Sequence, residues 1–113
     1  MTPRLSTSVI VSAMMRRAES QGGFAAVLSK GNPTAGALLV ILAEKGRKLR
    51  ILERILQPSG SYAWQDSAGE AAENEEEFQK FLARRQKFDP DMWVLELDIA
   101  SAERFADEMN DFD

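Results

Sequence analysis

One stretch of fifteen residues, 84–98, constrains the fold more than any other part of the chain. Its basic beginning suits the negative end of a helix dipole, and Pro90 then stops the helix. Residues 92–97 alternate in the manner of a strand that is half buried in a sheet. The stretch therefore predicts a helix end, a turn and a strand, and nothing in it requires a substrate.

The size and composition of the chain exclude most kinds of catalytic site. Its 113 residues, 44% of them hydrophobic, suffice for one compact core and are too few for two ordinary domains, so we expect a single domain over residues 1–113. The chain contains no cysteine and no histidine, which removes thiolate chemistry, the usual general base and the commonest zinc ligand. We therefore expect a protein that is not an enzyme and that uses no metal and no cofactor.

The hydrophobic segments are too short for a membrane protein. The longest apolar run, 35–43, is far below the roughly 20 residues that span a bilayer. The N-terminus also lacks the apolar region and cleavage site of a signal peptide. We expect a cytoplasmic location and no membrane partner.

Residue patterns in the first part of the chain predict one helix and four strands. Apolar side chains recur at helical spacing between Val9 and Ala18, although the β-branched opening of this segment also fits a short strand. The segment 48–56 fits both a strand face and a helical stripe, and the short glycine-containing turn before it favours the strand. The strands are predicted at 24–29, 36–43, 48–56 and 61–65.

The rest of the chain predicts two more helices and a fifth strand. A polar connector at 66–73, which we expect to be mobile, leads to Asn74 and Glu77, whose spacing resembles a capping box. A helix with a buried apolar stripe follows, and then a strand at 92–98. Ser101 can cap an amphipathic C-terminal helix at 101–113. We favour docking of this helix on the chain's own sheet over docking on a second copy.

These elements predict the fold class and its core. We expect an α+β fold, namely a single two-layer domain with a mostly antiparallel sheet of about five strands and two to three helices. A four-strand meander would gain the strand at 92–98 as its fifth member. In that strand Trp93, Leu95 and Leu97 share one face, so we predict that Trp93 is a core anchor on the side that the helices cover.

Several acidic residues near the last strand are candidates for a site. Asp89, Asp91, Glu96 and Asp98 could hold a cation or act as acid and base, but the Asp-Pro-Asp sequence is favourable turn chemistry and no histidine accompanies it. We therefore expect no catalytic and no metal site here. Arg17 falls on the apolar stripe of the first helix, and we predict that its guanidinium meets Asp89 or Asp91 in a structural clamp.

The charge is divided unevenly between the two halves of the chain. Residues 1–56 carry nine bases and three acids, whereas residues 57–113 carry five bases and fifteen acids. The commoner explanation of such a division is that folding brings the two halves together, so that their opposite charges neutralise each other. The alternative is a nucleic-acid binder that uses a basic hairpin at 45–54. Its candidate basic surface consists of Lys45, Arg47, Lys48, Arg50 and Arg54.

Three motifs in the chain resemble a known family. They are S-A-M-M-R-R near the start, the loop K-G-N-P-T-A-G, and K-F-D-P-D-M-W-V-L-E-L, of which the last is the most specific. Their order and spacing resemble those of small alphaproteobacterial proteins of about 110 residues whose function is unknown. The resemblance implies a stand-alone bacterial cytoplasmic protein and brings no activity, cofactor or catalytic residue with it.

Two functional hypotheses of different classes remain. We favour a non-catalytic protein-interaction or accessory domain, because catalytic constellations are absent from the sequence and strand edges could meet a partner. The partner would be an unknown protein or a second copy of the chain. The alternative is nucleic-acid binding through the hairpin at 45–54, which would show as an affinity that falls steeply with salt.

Overall fold

The computed structural model describes residues 6–34, 36–67 and 74–109, which form a five-stranded sheet with three helices. The predicted elements are confirmed within a few residues, including a helix at the start of the described chain and a strand at 48–56. In chain order the elements are α1 (Thr7–Ser20), β1 (Phe24–Ser29), β2 (Leu38–Glu44), β3 (Arg47–Leu56), β4 (Tyr62–Asp66), α2 (Glu75–Phe88), β5 (Trp93–Asp98) and α3 (Ala102–Glu108).

The order of the strands in the sheet is β1-β5-β2-β3-β4. Strands β2, β3 and β4 form an antiparallel meander, and β5 lies between β1 and β2. The predicted four-strand meander is therefore wrong for β1, which pairs with β5 and not with β2. β5 is antiparallel to β1 and parallel to β2. A parallel neighbour requires a crossover connection, and α2 supplies one between β4 and β5.

Helices cover both faces of the sheet. On one face α1 and α3 pack with Val40, Leu95 and Leu97, and on the other face α2 packs with Leu39 and Ile41. β2 is buried on both faces from Leu38 to Ala43, and its sequence is apolar over these six residues. The domain therefore has three layers where we predicted two, since the apolar stripe of α2 packs opposite α1.

Backbone and side-chain groups satisfy the free N–H groups at the helix starts. In α1 the Thr7 and Ser8 N–H groups donate to the Thr34 and Pro33 carbonyls at 3.2 and 3.0 Å, and no side chain caps the helix at Ser6. In α2 the Asn74 side chain accepts from the Glu77 N–H group at 3.0 Å, as the capping pattern predicted. The loop that follows β1 therefore fixes the start of α1, whereas the start of α2 is capped by the residue directly before it.

The C-terminal helix docks on its own sheet. Ala102, Phe105 and Met109 are buried in the same cluster as α1, which confirms the preferred arrangement for the described residues. The remainder of the predicted helix, 110–113, lies outside the described ranges. The expected connector at 66–73 also needs correction, because Asp66 belongs to β4 and the Ser67 N–H group donates to the Ile51 carbonyl at 2.9 Å. Residues 68–73 again lie outside the described ranges.

Candidate interaction surfaces

The loop 31–36 and the turn before β5 pack directly against each other. The Asn32 N–H group donates to the Asp91 carbonyl at 2.9 Å. A Cβ atom on Gly31 or Gly36 would lie only 2.1 or 2.5 Å from that carbonyl oxygen, so both positions require glycine. Two of the three motifs that carried the family resemblance therefore meet in space, and their glycines permit the close approach of two backbones.

Trp93 completes this junction from inside the protein. Its side chain is only 5% exposed and lies in the cluster under α1 and α3 with Leu95 and Leu97. The indole Nε1–H group donates to the Asn32 carbonyl at 2.7 Å. The prediction that Trp93 is a core anchor is confirmed. The loop also contacts α1, since the Thr7 hydroxyl donates to the Gly36 carbonyl at 2.8 Å. The motifs thus form a structural junction between α1, β2 and β5.

The acidic residues around β5 stabilise turns and helix starts. The Asp98 carboxylate accepts from the Lys45 and Gly46 N–H groups at 2.8 and 2.6 Å, and both of these residues have positive φ in the β2–β3 hairpin turn. The Glu44 carboxylate accepts from the Ala102 N–H group at 2.7 Å, at the start of α3. Within the described ranges, no group of three or more acidic side chains could hold a metal ion.

The structure corrects the predicted partner of Arg17. Its guanidinium pairs with Glu108 of α3 at 3.1 Å instead of with Asp89 or Asp91. The start of α1 lies beside the loop that contacts Asp91, and Arg17 lies ten residues further along, which is about 15 Å at 1.5 Å per residue. Arg17 is therefore a link between α1 and α3 and does not hold the β5 turn.

The cations of the predicted basic surface do not share one face of the sheet. Lys48 pairs with Glu75 of α2 at 2.9 Å and lies over the Phe78 ring. Arg50 forms two hydrogen bonds with Asp66 at 3.1 and 2.8 Å and reaches Glu103 of α3 on the opposite face. A bulge between these two positions turns the side chains to opposite sides.

The other three cations of the candidate basic surface are Arg54, Lys45 and Arg47. The Arg54 guanidinium lies over the Tyr62 ring, 3.6 Å from its centroid. Lys45 and Arg47 are exposed at the hairpin turn. The hydrogen bonds that Arg50 donates to Asp66 raise the pKa of Arg50 above its ordinary value. Acidic residues from the second half of the chain therefore pair with Lys48 and Arg50, two of the five cations.

Sequence reasoning missed a partly buried ion pair between α2 and β3. Arg85 forms two hydrogen bonds with Glu53 at 2.6 and 2.5 Å, and the Ser67 hydroxyl joins them with a donation to Glu53 at 3.1 Å. The hydrogen bonds from Arg85 lower the pKa of Glu53, and Glu53 in turn raises the pKa of Arg85. The residues are 32 positions apart, and no periodicity within either element connects them.

A polar cleft of about 510 Å³ opens beside this pair, between the turn at 89–91 and the ends of β3 and β4. Its walls include Glu53, Arg54, Tyr62, Asp89 and Asp91. Glu53 is held by Arg85, and Arg54 is stacked on Tyr62. Two of the charged walls, Glu53 and Arg54, are therefore engaged within the fold, and the arrangement does not indicate a general acid, a general base or a nucleophile.

Strand β1 is the most unusual surface in the described part of the chain. It is an edge strand, and three of its six side chains are large, apolar and exposed, namely Phe24 (63%), Val27 (41%) and Leu28 (48%). Only three further large apolar residues are exposed among those described. Edge strands are usually protected by charges, proline or a bulge, and β1 has only a bulge between Val27 and Ser29.

The fold and these surfaces define a small α+β domain with an apolar sheet edge and no assembled catalytic group among its described residues. None of the described helices is long and apolar enough to cross a membrane. Residues 5–107 match the family described as "Protein of unknown function (DUF1491)", and the chain belongs to this family. No curated protein matches the chain.

Solved structures from two alphaproteobacteria are similar to the chain. A crystal structure of a DUF1491 family protein from Caulobacter crescentus has a TM-score of 0.77 at 31% identity, with 90% of this chain and 94% of that chain covered. An NMR structure of a DUF1491 family protein from the same organism gives 0.79 at 30% identity, covering 92% and 94%. A solution structure of a protein from A. tumefaciens gives 0.73 at 31% identity, covering 91% and 92%. These similarities confirm the fold class and the family resemblance, and they assign no function.

Proposed function

We propose that this protein is a non-catalytic, cytoplasmic protein-interaction or accessory domain whose docking surface is the outer edge of β1. The observation that carries the proposal is the concentration of exposed apolar side chains on that one strand. An exposed apolar edge is a template for pairing with another chain, in which main-chain hydrogen bonds give affinity and alternate side chains give specificity.

The chemistry of the chain supports a role without catalysis. The sequence has no histidine and no cysteine. Three of the described carboxylates have structural roles. Glu53 binds Arg85 of α2, Asp98 accepts from the hairpin turn, and Glu44 caps α3. Each of these groups is occupied by a partner within the fold, which leaves none of them poised for proton transfer.

Nucleic-acid binding through the hairpin at 45–54 has weaker support. Phosphate binding requires several cations on one accessible surface. Lys48 and Arg50 point to opposite faces and pair with Glu75, Asp66 and Glu103. A ligand would have to break these pairs before it could use the cations.

A comparison of two edge variants tests the proposal. Leu28→Lys places a charge on β1, and Gln65→Lys places the same charge on β4, the other edge of the sheet. Both side chains are exposed, so both variants should keep the wild-type circular dichroism spectrum. The tagged proteins are used for affinity capture from extract of the native cell. We expect wild type and Gln65→Lys to retain the same proteins and Leu28→Lys to lose them. Equal retention by all three would contradict a docking role for β1.

A further inference from the structure

We infer that the chain docks on a second copy of itself through antiparallel pairing of the two β1 edges, which joins two five-stranded sheets into one. The inference rests on the proposed function, because it names the partner of the same edge. Two-fold symmetry makes such an interface self-complementary, since each copy offers the same strand to the other. Three features of β1 and its flanks fit this partner.

The first feature is the absence of charge along the edge. From Ser20 to Ser29 the chain contains no charged residue. A net charge of −4 on each copy would otherwise oppose association, and like charges opposite each other across a strand pair are destabilising. The uncharged segment lets two edges approach without direct repulsion.

The second feature is the distribution of side-chain sizes. In the register centred on Ala26, Ala26 lies opposite its own copy and Ala25 lies opposite Val27 of the second copy. Phe24 then lies near Leu28, the residue at the bulge, at both ends of the paired segment. These two side chains are among the most exposed apolar groups described, and the pairing would bring each against an apolar neighbour.

The third feature is a pair of opposite charges that flank the uncharged segment: Glu19 precedes it and Lys30 follows it. Lys30 directly follows β1, so antiparallel pairing brings it toward the segment that precedes Phe24 in the other copy. That segment begins at the end of α1, where the Glu19 carbonyl accepts from the Gly22 N–H group at 3.0 Å. Both charged residues are exposed. Two-fold symmetry places the opposite charges near each other twice, once at each end of the interface.

The other sheet edge lacks these features. β4 is five residues long and ends in Asp66, whose carboxylate is held by Arg50. Its Tyr62 ring is covered by Arg54. Charges and cation contacts on an edge strand discourage pairing with a second chain. The asymmetry between the two edges directs association to β1 and limits it to a closed dimer instead of an open filament.

Sedimentation velocity of the purified full chain over a wide concentration range tests the inference. We expect a reversible dimer for wild type, a monomer for Leu28→Lys, and a dimer for the control Gln65→Lys. Circular dichroism verifies that each variant is folded. A monomeric wild type at every concentration would overturn the second-copy inference, as would a dimer that is unaffected by Leu28→Lys.

Charge reversal provides a second test that does not depend on the apolar residues. Glu19→Lys or Lys30→Glu alone should raise the dimer dissociation constant roughly two- to thirtyfold, as expected for two exposed ion pairs. The double variant should restore the wild-type constant, because reversing both signs regenerates both pairs. Failure of the double variant to recover any affinity would overturn the proposed register and with it the inference.

These outcomes separate the inference from the proposed function. If wild type is a monomer while capture of other proteins still depends on Leu28, the partner is a different protein and the docking role of β1 stands. If neither self-association nor capture depends on Leu28, both proposals fail.

Discussion

Truncation of Trp93 should remove a large part of the stability of the domain. The side chain is 5% exposed, packs under α1 and α3, and donates its N–H group to the Asn32 carbonyl at 2.7 Å. Removing a buried tryptophan side chain costs about 3–5 kcal/mol, because the transfer free energy and a cavity term add. Domains of this size have about 5–15 kcal/mol of stability in total. Trp93→Ala therefore approaches the limit at which the domain still folds.

A conservative variant separates packing from hydrogen bonding. Trp93→Phe keeps most of the apolar contact and loses the donor to Asn32, so we expect a cost of about 1–3 kcal/mol. Phe88→Ala is the matched control, because Phe88 is 81% exposed in the preceding helix. Its truncation should change stability by less than about 0.5 kcal/mol.

Urea unfolding followed by far-ultraviolet circular dichroism measures these differences without relying on tryptophan fluorescence. With a slope of about 1.5 kcal/mol per molar urea, the midpoint for Trp93→Ala should fall by about 2–3 M. A loss below about 1 kcal/mol for Trp93→Ala, or an equal loss for Phe88→Ala, would refute the argument that the indole anchors the core.

Three further predictions follow from single contacts. Glu53→Gln should lower the free energy of unfolding by about 1–3 kcal/mol at neutral pH. Because Arg85 lowers the folded-state pKa of Glu53, this loss should be complete above the unfolded-state pKa of about 4.3 and should shrink as the pH falls through the folded-state pKa. Urea unfolding of both proteins at several pH values measures the difference. Gly31→Ala should lower the melting temperature by several degrees, since its Cβ would meet a backbone oxygen at 2.1 Å, and an unchanged melting temperature would contradict that contact. A double-mutant cycle of Arg17→Ala and Glu108→Ala should give a coupling of about 0.2–1 kcal/mol, and zero coupling would show that this partly exposed pair does not link α1 and α3.

Local sequence patterns predicted the elements because each depends on neighbours a few residues away. The stripe of α2, its Asn74 cap and the apolar run of β2 are visible in the sequence, and the structure has all three. The role of Trp93 was also predictable, since its face is set by strand alternation.

Strand order and long-range ion pairs were not predictable in the same way. The apolar β5 is compatible with either an edge or a central position, and its insertion between β1 and β2 depends on the path of α2 across the sheet. The prediction for Arg17 names the wrong carboxylate, because sequence spacing does not tell which end of a helix faces which loop. Glu53 and Arg85 are 32 positions apart in the chain, so their pairing can be recognised only when the fold is known.

The candidate interaction surface could be recognised only from the fold. The sequence of β1 predicts a strand but not its place at an edge, and the exposure of Phe24, Val27 and Leu28 follows from that place. The basic hairpin was more conspicuous in the sequence, yet folding brings Asp66, Glu75 and Glu103 to its cations. Charge in a sequence is thus a poor guide to a binding surface until its neighbours in space are known.

Amide hydrogen exchange on the segment 24–29 tests most directly whether β1 is a docking surface. Deuterium uptake would be measured by mass spectrometry on the purified protein at rising concentration, and again after addition of extract from the native cell. We predict that uptake in β1 slows in at least one of these conditions while uptake in β4, the other edge, stays the same. Unchanged uptake in β1 under both conditions, or slower uptake confined to the hairpin at 45–54 after extract is added, would contradict the account.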